Sequence, residues 1–179
     1  NMLDLSKLES GEYQVNARMF NIWETLTGVA LSAEQRINDG MIDIDGLTMD
    51  EKVLVYADPD LIHQVAYNLL DNAIKFTPAG GEITIRASMD KDWLTVSFTD
   101  TGIGMTPEVK QRVFDKFYQG DTSHKKKGNG LGLALVRQIV TLYGGSVEVE
   151  SAPDMGSTFT VRLPAHTISS ESSSEQSAL

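Results

Sequence analysis

Apolar side chains recur at helical spacing most clearly between Asp58 and Phe76. Asp58 and Pro59 suit a helix N-cap and a first-turn proline. The apolar positions that follow, at intervals of one, three and four, are Ile62, Val65, Ala66, Leu69, Leu70 and Ala73. These intervals place side chains on one face of a helix, so the pattern predicts an amphipathic helix with one buried face.

The rest of the chain divides into helical and alternating segments. Further helices are predicted over 1–10, 22–37, 106–113 and 131–143. Strands are predicted over 13–20, 42–44, 53–56, 82–89, 94–100, 146–151 and 157–163. The last two strands read as a hairpin joined by APDMG. In the segment after the predicted helix 106–113, Phe114 and Phe117 are three residues apart, and we expect both to pack in the core.

Composition excludes several classes of protein. The 179 residues carry a net charge of -10 with a pI near 4.7, which argues against a nucleic-acid-binding surface. Cysteine is absent, so disulfides and thiolate metal sites are excluded, which suits a reducing compartment. No apolar run has the length of a membrane span, and the start lacks a signal-peptide pattern. Any membrane attachment would lie outside this sequence.

The polar face of the predicted helix 58–76 has an unusual composition. Its stripe, at intervals of one, three and four, consists of Gln64, Asn68, Asp71, Asn72 and Lys75. Amide oxygens suit a hard cation, and an ammonium suits phosphate oxygens. On this helix alone, a solvated face with incidental amides explains the stripe equally well.

Asp100 ends the predicted strand 94–100 on the same side as the apolar residues. An inward carboxylate needs hydrogen-bond donors from the protein or from a ligand. The residues TGIG that follow it let the backbone turn sharply and approach a flat group closely. An ordinary aspartate in a turn is the alternative reading.

A second glycine cluster lies where a polar loop meets a helix. The loop 120–130 contains no large apolar residue, which predicts a mobile segment. It runs through GNGLGL into the predicted helix 131–143, where glycines and unpaired N–H groups would suit phosphate. The sequence has neither the GxxxxGK[ST] P-loop nor the dinucleotide fingerprint, and the protein-kinase motifs are missing.

Taken in order, these motifs resemble the catalytic, ATP-binding domain of sensor histidine kinases, in the GHKL superfamily of ATPases and kinases. The matching stretches are NLLDNAIKF (N box), DTGIG (first glycine box), FDKFYQG (F box) and GNGLGL (second glycine box). The resemblance implies an α/β (α+β) two-layer sandwich with a mobile ATP lid. Its mixed, mostly antiparallel sheet would have about five strands, covered on one face by three helices.

The resemblance also assigns an adenine site. Asp100 would accept a hydrogen bond from the adenine amino group, and Thr158 would assist it through its hydroxyl. Gly102 and Gly104 would make room for the base, with Ile103 between them.

It further assigns the phosphate end and the cofactors, ATP and Mg²⁺. Asn72 would coordinate the metal, with Asn68 beside it and Lys75 on a phosphate, and these three form the implied catalytic set. Tyr118 would lie near the nucleotide. The residues implied to hold phosphates beneath the lid are Gly128, Gly130, Leu131, Gly132 and Leu133.

Asn68 stands where the related gyrase-type ATPases have a glutamate that activates water. An amide is not a general base at neutral pH, so hydrolysis should be slow, leaving the γ-phosphate for an imidazole nucleophile. Transfer would depend on positioning and charge neutralisation. None of His63, His124 and His166 has the sequence context of the family's phosphoacceptor, which would lie on an upstream helix.

The implied domain organisation has three parts: 1–11 as the end of an upstream dimerisation and phosphotransfer helix, 12–164 as the catalytic domain, and 165–179 as a disordered tail or linker. Implied partners are that upstream domain and the receiver domain of a response regulator, within a cytoplasmic part of a homodimer. No contact with nucleic acid or membrane is expected. Alternatives are an anti-sigma-type serine kinase and a non-catalytic module that binds nucleotide or acts by protein contacts alone.

Overall fold

The computed structural model describes residues 5–48, 51–118 and 130–165. The helices are α1 (Leu5–Ser10), α2 (Ile22–Ser32), α3 (Glu34–Asp39), α4 (Pro59–Phe76), α5 (Pro107–Arg112) and α6 (Gly132–Leu142). The strands are β1 (Arg18–Asn21), β2 (Asp43–Asp45), β3 (Leu54–Ala57), β4 (Glu82–Asp90), β5 (Trp93–Asp100), β6 (Ser146–Ser151) and β7 (Ser157–Pro164). Among the residues described, no helix has the length and apolar content needed to cross a membrane.

A five-stranded sheet in the order β2-β4-β5-β7-β6 carries the core on one face. β2 pairs in parallel with β4, whereas the other neighbours in this sheet are antiparallel. Helices α2, α4 and α6 pack side by side over the inner face, and β1 and β3 form a separate two-stranded sheet. The predicted two-layer α/β sandwich with a mixed, mostly antiparallel sheet is therefore confirmed.

Helix α4 crosses the centre of the inner face, where the sequence predicts an amphipathic helix. The Asp58 side chain caps it by accepting hydrogen bonds from the N–H groups of Asp60 and Leu61. Its apolar stripe, including Leu69 and Leu70, is buried against the sheet and the flanking helices. Burial of this stripe fixes the rotation of α4, and so fixes where its polar residues lie.

The predicted single helix from Ile22 to about Ile37 is wrong, because the chain breaks at Ala33. The Ser32 hydroxyl donates to the Val29 carbonyl at 2.7 Å, which is the carbonyl that a continuing helix would offer to the N–H of Ala33. That N–H bonds instead to the carbonyl of Ala30, and a separate helix, α3, begins at Glu34. The predicted strand 13–20 is also shorter and later, at Arg18–Asn21.

The aromatic residues after α5 behave differently from each other. Phe114 packs edge-on against Phe159 with ring centroids 6.0 Å apart, as a core residue would. The prediction that Phe117 also packs in the core is wrong, since its side chain is 70% exposed. Its N–H donates to the carbonyl of Gly130 at 2.9 Å, and the backbone takes a positive φ of 66° that turns the ring outward.

We expect Gly104→Ala to lower the free energy of unfolding by at least about 2 kcal/mol. Gly104 has a φ of +70°, and an added Cβ would lie 1.9 Å from the carbonyl oxygen of Ala152. Gly80 has a φ of +89° with open space around an added Cβ, so Gly80→Ala measures the backbone strain alone. Urea unfolding of both variants tests the difference, and equal losses would show that the contact with Ala152 carries no cost.

Candidate functional site

Asp100, the last residue of β5, is a buried carboxylate whose exposed fraction is 4%. Its Oδ1 accepts hydrogen bonds from the N–H of Gly102 at 2.9 Å and from the N–H of Ser157 at 3.2 Å. Burial raises the pKa of Asp100 above its ordinary value of 3.8, and these two N–H groups offset part of the rise. Both hydrogen bonds from described residues end on Oδ1, which leaves Oδ2 for a ligand.

Thr158 does not lie beside Asp100, where the sequence predicts it. Cross-strand pairing matches Asp100 with Ser157 and Thr99 with Thr158, and successive strand residues face opposite sides of the sheet. The Thr158 hydroxyl is 3.1 Å from the hydroxyl of Thr99, on the face away from Asp100. The expected help from Thr158 to Asp100 is therefore replaced by the backbone N–H of Ser157, which a correct strand register would have identified.

The loop after Asp100 is clamped between two other parts of the chain. The Ile103 N–H donates to the carbonyl of Phe76 at the end of α4, and the Ile103 carbonyl accepts from the N–H of Asp154 between β6 and β7. An added Cβ on Gly102 would lie 2.2 Å from the carbonyl oxygen of Phe76. The glycines at 102 and 104 are thus required by neighbouring backbone, whether or not a base lies against them. The Ile103 side chain is 38% exposed.

Burial divides the polar stripe of α4. Gln64 and Asn68 are buried, with exposed fractions of 8% and 6%, so a fully solvated face is excluded for these two. Asn68 Nδ2 donates to the Gln64 carbonyl at 2.7 Å. Asn72, one turn further on, is half-buried, and its side chain makes no hydrogen bond to another described residue. The Asn72 amide is therefore the side chain in this stripe best placed to accept a new partner.

Lys75 is paired with a carboxylate. Its Nζ lies 3.1 Å from Asp71 Oδ2, and Arg36 Nη2 from α3 lies 2.7 Å from Asp71 Oδ1. The two cations share one acid, which leaves a net positive charge beside Asn72. The sequence did not predict Arg36 at this position, because it lies 35 residues from Asp71 and only the tertiary fold brings the two together.

Helix α6 begins against Asn68. An added Cβ on Gly132 would lie 2.9 Å from Asn68 Oδ1, so a side chain at 132 would displace the asparagine. Gly130 has a φ of +73°, and its carbonyl accepts from the N–H of Phe117. Leu131 and Leu133 are half-buried beside them. Of the predicted phosphate residues, Gly128 lies outside the described part of the chain.

Tyr118 is half-buried at the end of the segment after α5. The guanidinium carbon of Arg112 lies 4.6 Å from the centre of its ring, a cation–π contact. This contact places the Tyr118 ring against the last residue of α5. The predicted set therefore falls in two groups: Asp100 with its glycine loop, and the α4 stripe with the start of α6. Phe76 connects the two groups through the backbone.

Comparison with known proteins decides the family. Residues 57–167, more than half of the chain, match the model of the histidine kinase-, DNA gyrase B-, and HSP90-like ATPases. The chain belongs to this family. A relative within this ATPase family is the circadian input-output histidine kinase CikA of Synechococcus elongatus, which is 37% identical over an alignment of 171 residues that covers 93% of this chain and 23% of CikA. The chain spans less than a third of the length of the curated relatives it matches first.

Solved structures of histidine kinases have the same fold as this ATPase domain. Full-length ShkA in complex with AMPPNP matches with a TM-score of 0.81 and 29% identity, over 92% of this chain and 34% of ShkA. The nucleotide-free catalytic domain of ThkA matches with a TM-score of 0.74 and 30% identity, over 84% and 97% of the two chains. ThkA in complex with the response regulator TrrA also matches, with a TM-score of 0.71 and 27% identity, over 89% of this chain and 46% of ThkA.

Proposed function

We propose that this chain is the catalytic, ATP-binding part of a two-component sensor histidine kinase, which positions Mg-ATP for transfer of the γ-phosphoryl group to a histidine. The observation that carries the proposal is Asp100, a buried carboxylate with one oxygen committed to backbone N–H groups and the other left for a ligand. Membership of the ATPase family and the match to AMPPNP-bound ShkA support the same reading.

Asp100 would select adenine by the direction of its hydrogen bond. Because Oδ1 already accepts two N–H groups, Oδ2 can accept a further donor, and the exocyclic amino group of adenine supplies one. Guanine carries a carbonyl oxygen at the corresponding position. This oxygen would face the Asp100 carboxylate, and two acceptors cannot form a hydrogen bond. The clamped loop 102–104 would hold one side of the base.

The α4 stripe and the start of α6 would hold the triphosphate. Asn72 offers an amide oxygen without a partner among the described residues, and this oxygen would suit magnesium, a hard cation. Lys75 would move from Asp71 to a phosphate, and Arg36 would keep Asp71 neutralised. The N–H groups at the start of α6, near Gly132, have no side-chain cap and suit phosphate oxygens. Bound magnesium would neutralise charge on the phosphates.

Asn68 would favour transfer over hydrolysis. Its amide lacks a titratable proton acceptor, and it is buried between the Gln64 carbonyl and Gly132. Water near the γ-phosphate would therefore receive no help from this position. The nucleotide would remain intact until a histidine nucleophile arrives, and positioning would supply most of the rate.

The phosphoacceptor and the partners would come from outside the described fold. His63, the histidine within it, is exposed on α4, whereas the residues proposed to bind phosphate lie at the other end of that helix. We assign 1–11 to the end of an upstream dimerisation and phosphotransfer domain, and the receiver domain of a response regulator as the next partner. The complex of ThkA with TrrA supports the second assignment.

Calorimetric titration with ATP, with and without magnesium, tests this function, and GTP is the control. We expect ATP to bind, magnesium to strengthen the binding, and GTP to bind at least about tenfold more weakly because it lacks the donor that Asp100 needs. If the folded protein bound neither nucleotide, the proposal would be wrong and the fold would serve protein contacts alone.

A further inference from the structure

Three segments of the chain meet at Asp58, at the end of α4 far from the proposed phosphate residues. Asp58 is 1% exposed, and its Oδ2 accepts from the Tyr13 hydroxyl and from the N–H of Asn16, both at 2.9 Å. Its Oδ1 accepts from the first turn of α4. Its own N–H donates to the hydroxyl of Tyr143 at 2.8 Å. One residue thus joins the segment after α1 to the start of α4 and the end of α6.

Among the residues that the structure describes, four neutral donors and no cation contact the Asp58 carboxylate. A buried carboxylate is costly, and hydrogen bonds from neutral donors are what make it tolerable here. Burial and the hydrogen bond to Asp58 raise the pKa of Tyr13, and burial raises the pKa of Tyr143. Both phenols therefore stay protonated at neutral pH, which keeps the Tyr13 hydroxyl a donor to Asp58.

The junction fixes where α6 lies along α4. Tyr143 is the C-cap residue of α6 and bonds to the N-cap residue of α4, so the helices meet there end to start. At their other contact, Gly132 at the start of α6 lies against Asn68. Asn68 is ten residues from Asp58 and Gly132 is eleven from Tyr143, about 15 and 16 Å at the rise of an α-helix. The two helices are therefore antiparallel, and α6 contacts α4 at both of its own ends.

We propose that Tyr143 and Asp58 are positioning residues that set the axial register of α6 on α4, and that Tyr13 ties the segment after α1 to this register. A change at the junction then moves Gly132 relative to Asn68, about 15 Å away. The link to nucleotide affinity rests on the proposed function, because it takes Asn68 and Gly132 as the phosphate end. The register itself does not depend on that assignment.

The proposed coupling between the Asp58 junction and nucleotide binding can be measured from either end. α1 packs against α6, and Leu8 of α1 is buried in the common core. If docking of the segment at Tyr13 and Asn16 favours the register that binds nucleotide, then nucleotide must favour docking by the same factor. The amide of Asn16, which bonds to Asp58, reports docking directly.

Tyr143→Phe tests the register because it removes the acceptor hydroxyl and keeps the ring. Tyr56→Phe is the matched control, since Tyr56 is 45% exposed on β3 and its hydroxyl bonds to no other described residue. Nuclear magnetic resonance of the nucleotide-free protein would follow the Gly132 amide and the Asn68 side-chain amide. We expect both signals to shift in Tyr143→Phe and to stay unchanged in Tyr56→Phe. Unchanged signals in folded Tyr143→Phe would overturn the proposal.

Two further measurements separate this proposal from the proposed function. We expect Tyr143→Phe to weaken magnesium-ATP binding by about three- to tenfold, the size of one hydrogen bond. In Tyr13→Phe, the Asn16 amide should exchange with solvent faster, and bound ATP should slow that exchange less than in the wild type. Equal exchange in the two proteins would contradict the role of Tyr13. If the wild type binds no ATP, the proposed function fails. The resonance shifts of Gly132 and Asn68 in Tyr143→Phe would still test the register of α6 on α4.

Discussion

Asp100→Asn is expected to weaken ATP binding by about ten- to a hundredfold, which corresponds to loss of one charge-assisted hydrogen bond. The asparagine can keep its oxygen on the N–H groups of Gly102 and Ser157, which places its NH₂ where Oδ2 lies now. A donor would then face the amino group of adenine, which is also a donor. Calorimetry with ATP and GTP measures the loss, and the preference for ATP over GTP should shrink.

The fold of Asp100→Asn should be at least as stable as the wild type at neutral pH. Because burial raises the pKa of Asp100, the folded protein holds this proton more tightly than the unfolded chain. The free energy of unfolding of the wild type should therefore fall as pH rises from 3.8 through the raised pKa, and this contribution should vanish in the variant. Urea unfolding at several pH values measures both.

Thr158→Val is the matched control for Asp100→Asn. Thr158 is next to Ser157 in β7, but its hydroxyl pairs with Thr99 on the opposite face of the sheet. We expect the ATP affinity of Thr158→Val to stay within about twofold of that of the wild type. Loss of affinity in Thr158→Val, or unchanged affinity in Asp100→Asn, would contradict the assignment of the adenine site.

Asn72→Ala is expected to remove the magnesium-dependent part of ATP binding, lowering affinity in magnesium by about tenfold or more. Alanine favours helix more than asparagine does, and the Asn72 side chain makes no hydrogen bond to another described residue, so α4 should keep its structure. Titration with ATP in magnesium and in a chelator measures the effect.

Asn72→Asp provides the control for the metal assignment. A carboxylate oxygen also suits a hard cation, so this variant should keep a magnesium response that Asn72→Ala lacks. An unaltered magnesium response in Asn72→Ala would exclude the metal role of Asn72. Loss of the response in both variants would indicate that the amide NH₂ group, and not its oxygen, matters at this position.

Local patterns predicted the parts of the fold that depend on short stretches of sequence. The capped helix from Asp58 to Phe76 and the hairpin after Gly145 were predicted because caps, spacing and turn residues lie within a few positions of each other. The break at Ala33 was missed because one hydroxyl, that of Ser32, competes for a backbone carbonyl inside an otherwise periodic stretch.

The candidate site was predictable in its residues and less so in its contacts. Motif order singled out Asp100, Asn72 and Lys75, but pairing of Lys75 with Asp71 and Arg36 depends on how α3 lies against α4. Placing Thr158 beside Asp100 required the register of β7, in which a shift of one residue reverses the face. The roles assigned from motif order remain predictions, whereas the contact of Thr158 with Asp100 was wrong because it depends on the register of β7.

If Lys75 binds phosphate as we propose, the acid it shares with Arg36, Asp71, would determine which phosphates can reach it. Free inorganic phosphate would have to displace a carboxylate oxygen that lies 3.1 Å from the Lys75 ammonium. A polyphosphate anchored through adenine at Asp100, as we propose, would compete at a high effective concentration, because its tail could not diffuse away. The ion pair of Lys75 with Asp71 would thus select among anions. Free small anions would bind the Lys75 ammonium weakly, whereas a tethered triphosphate would displace Asp71.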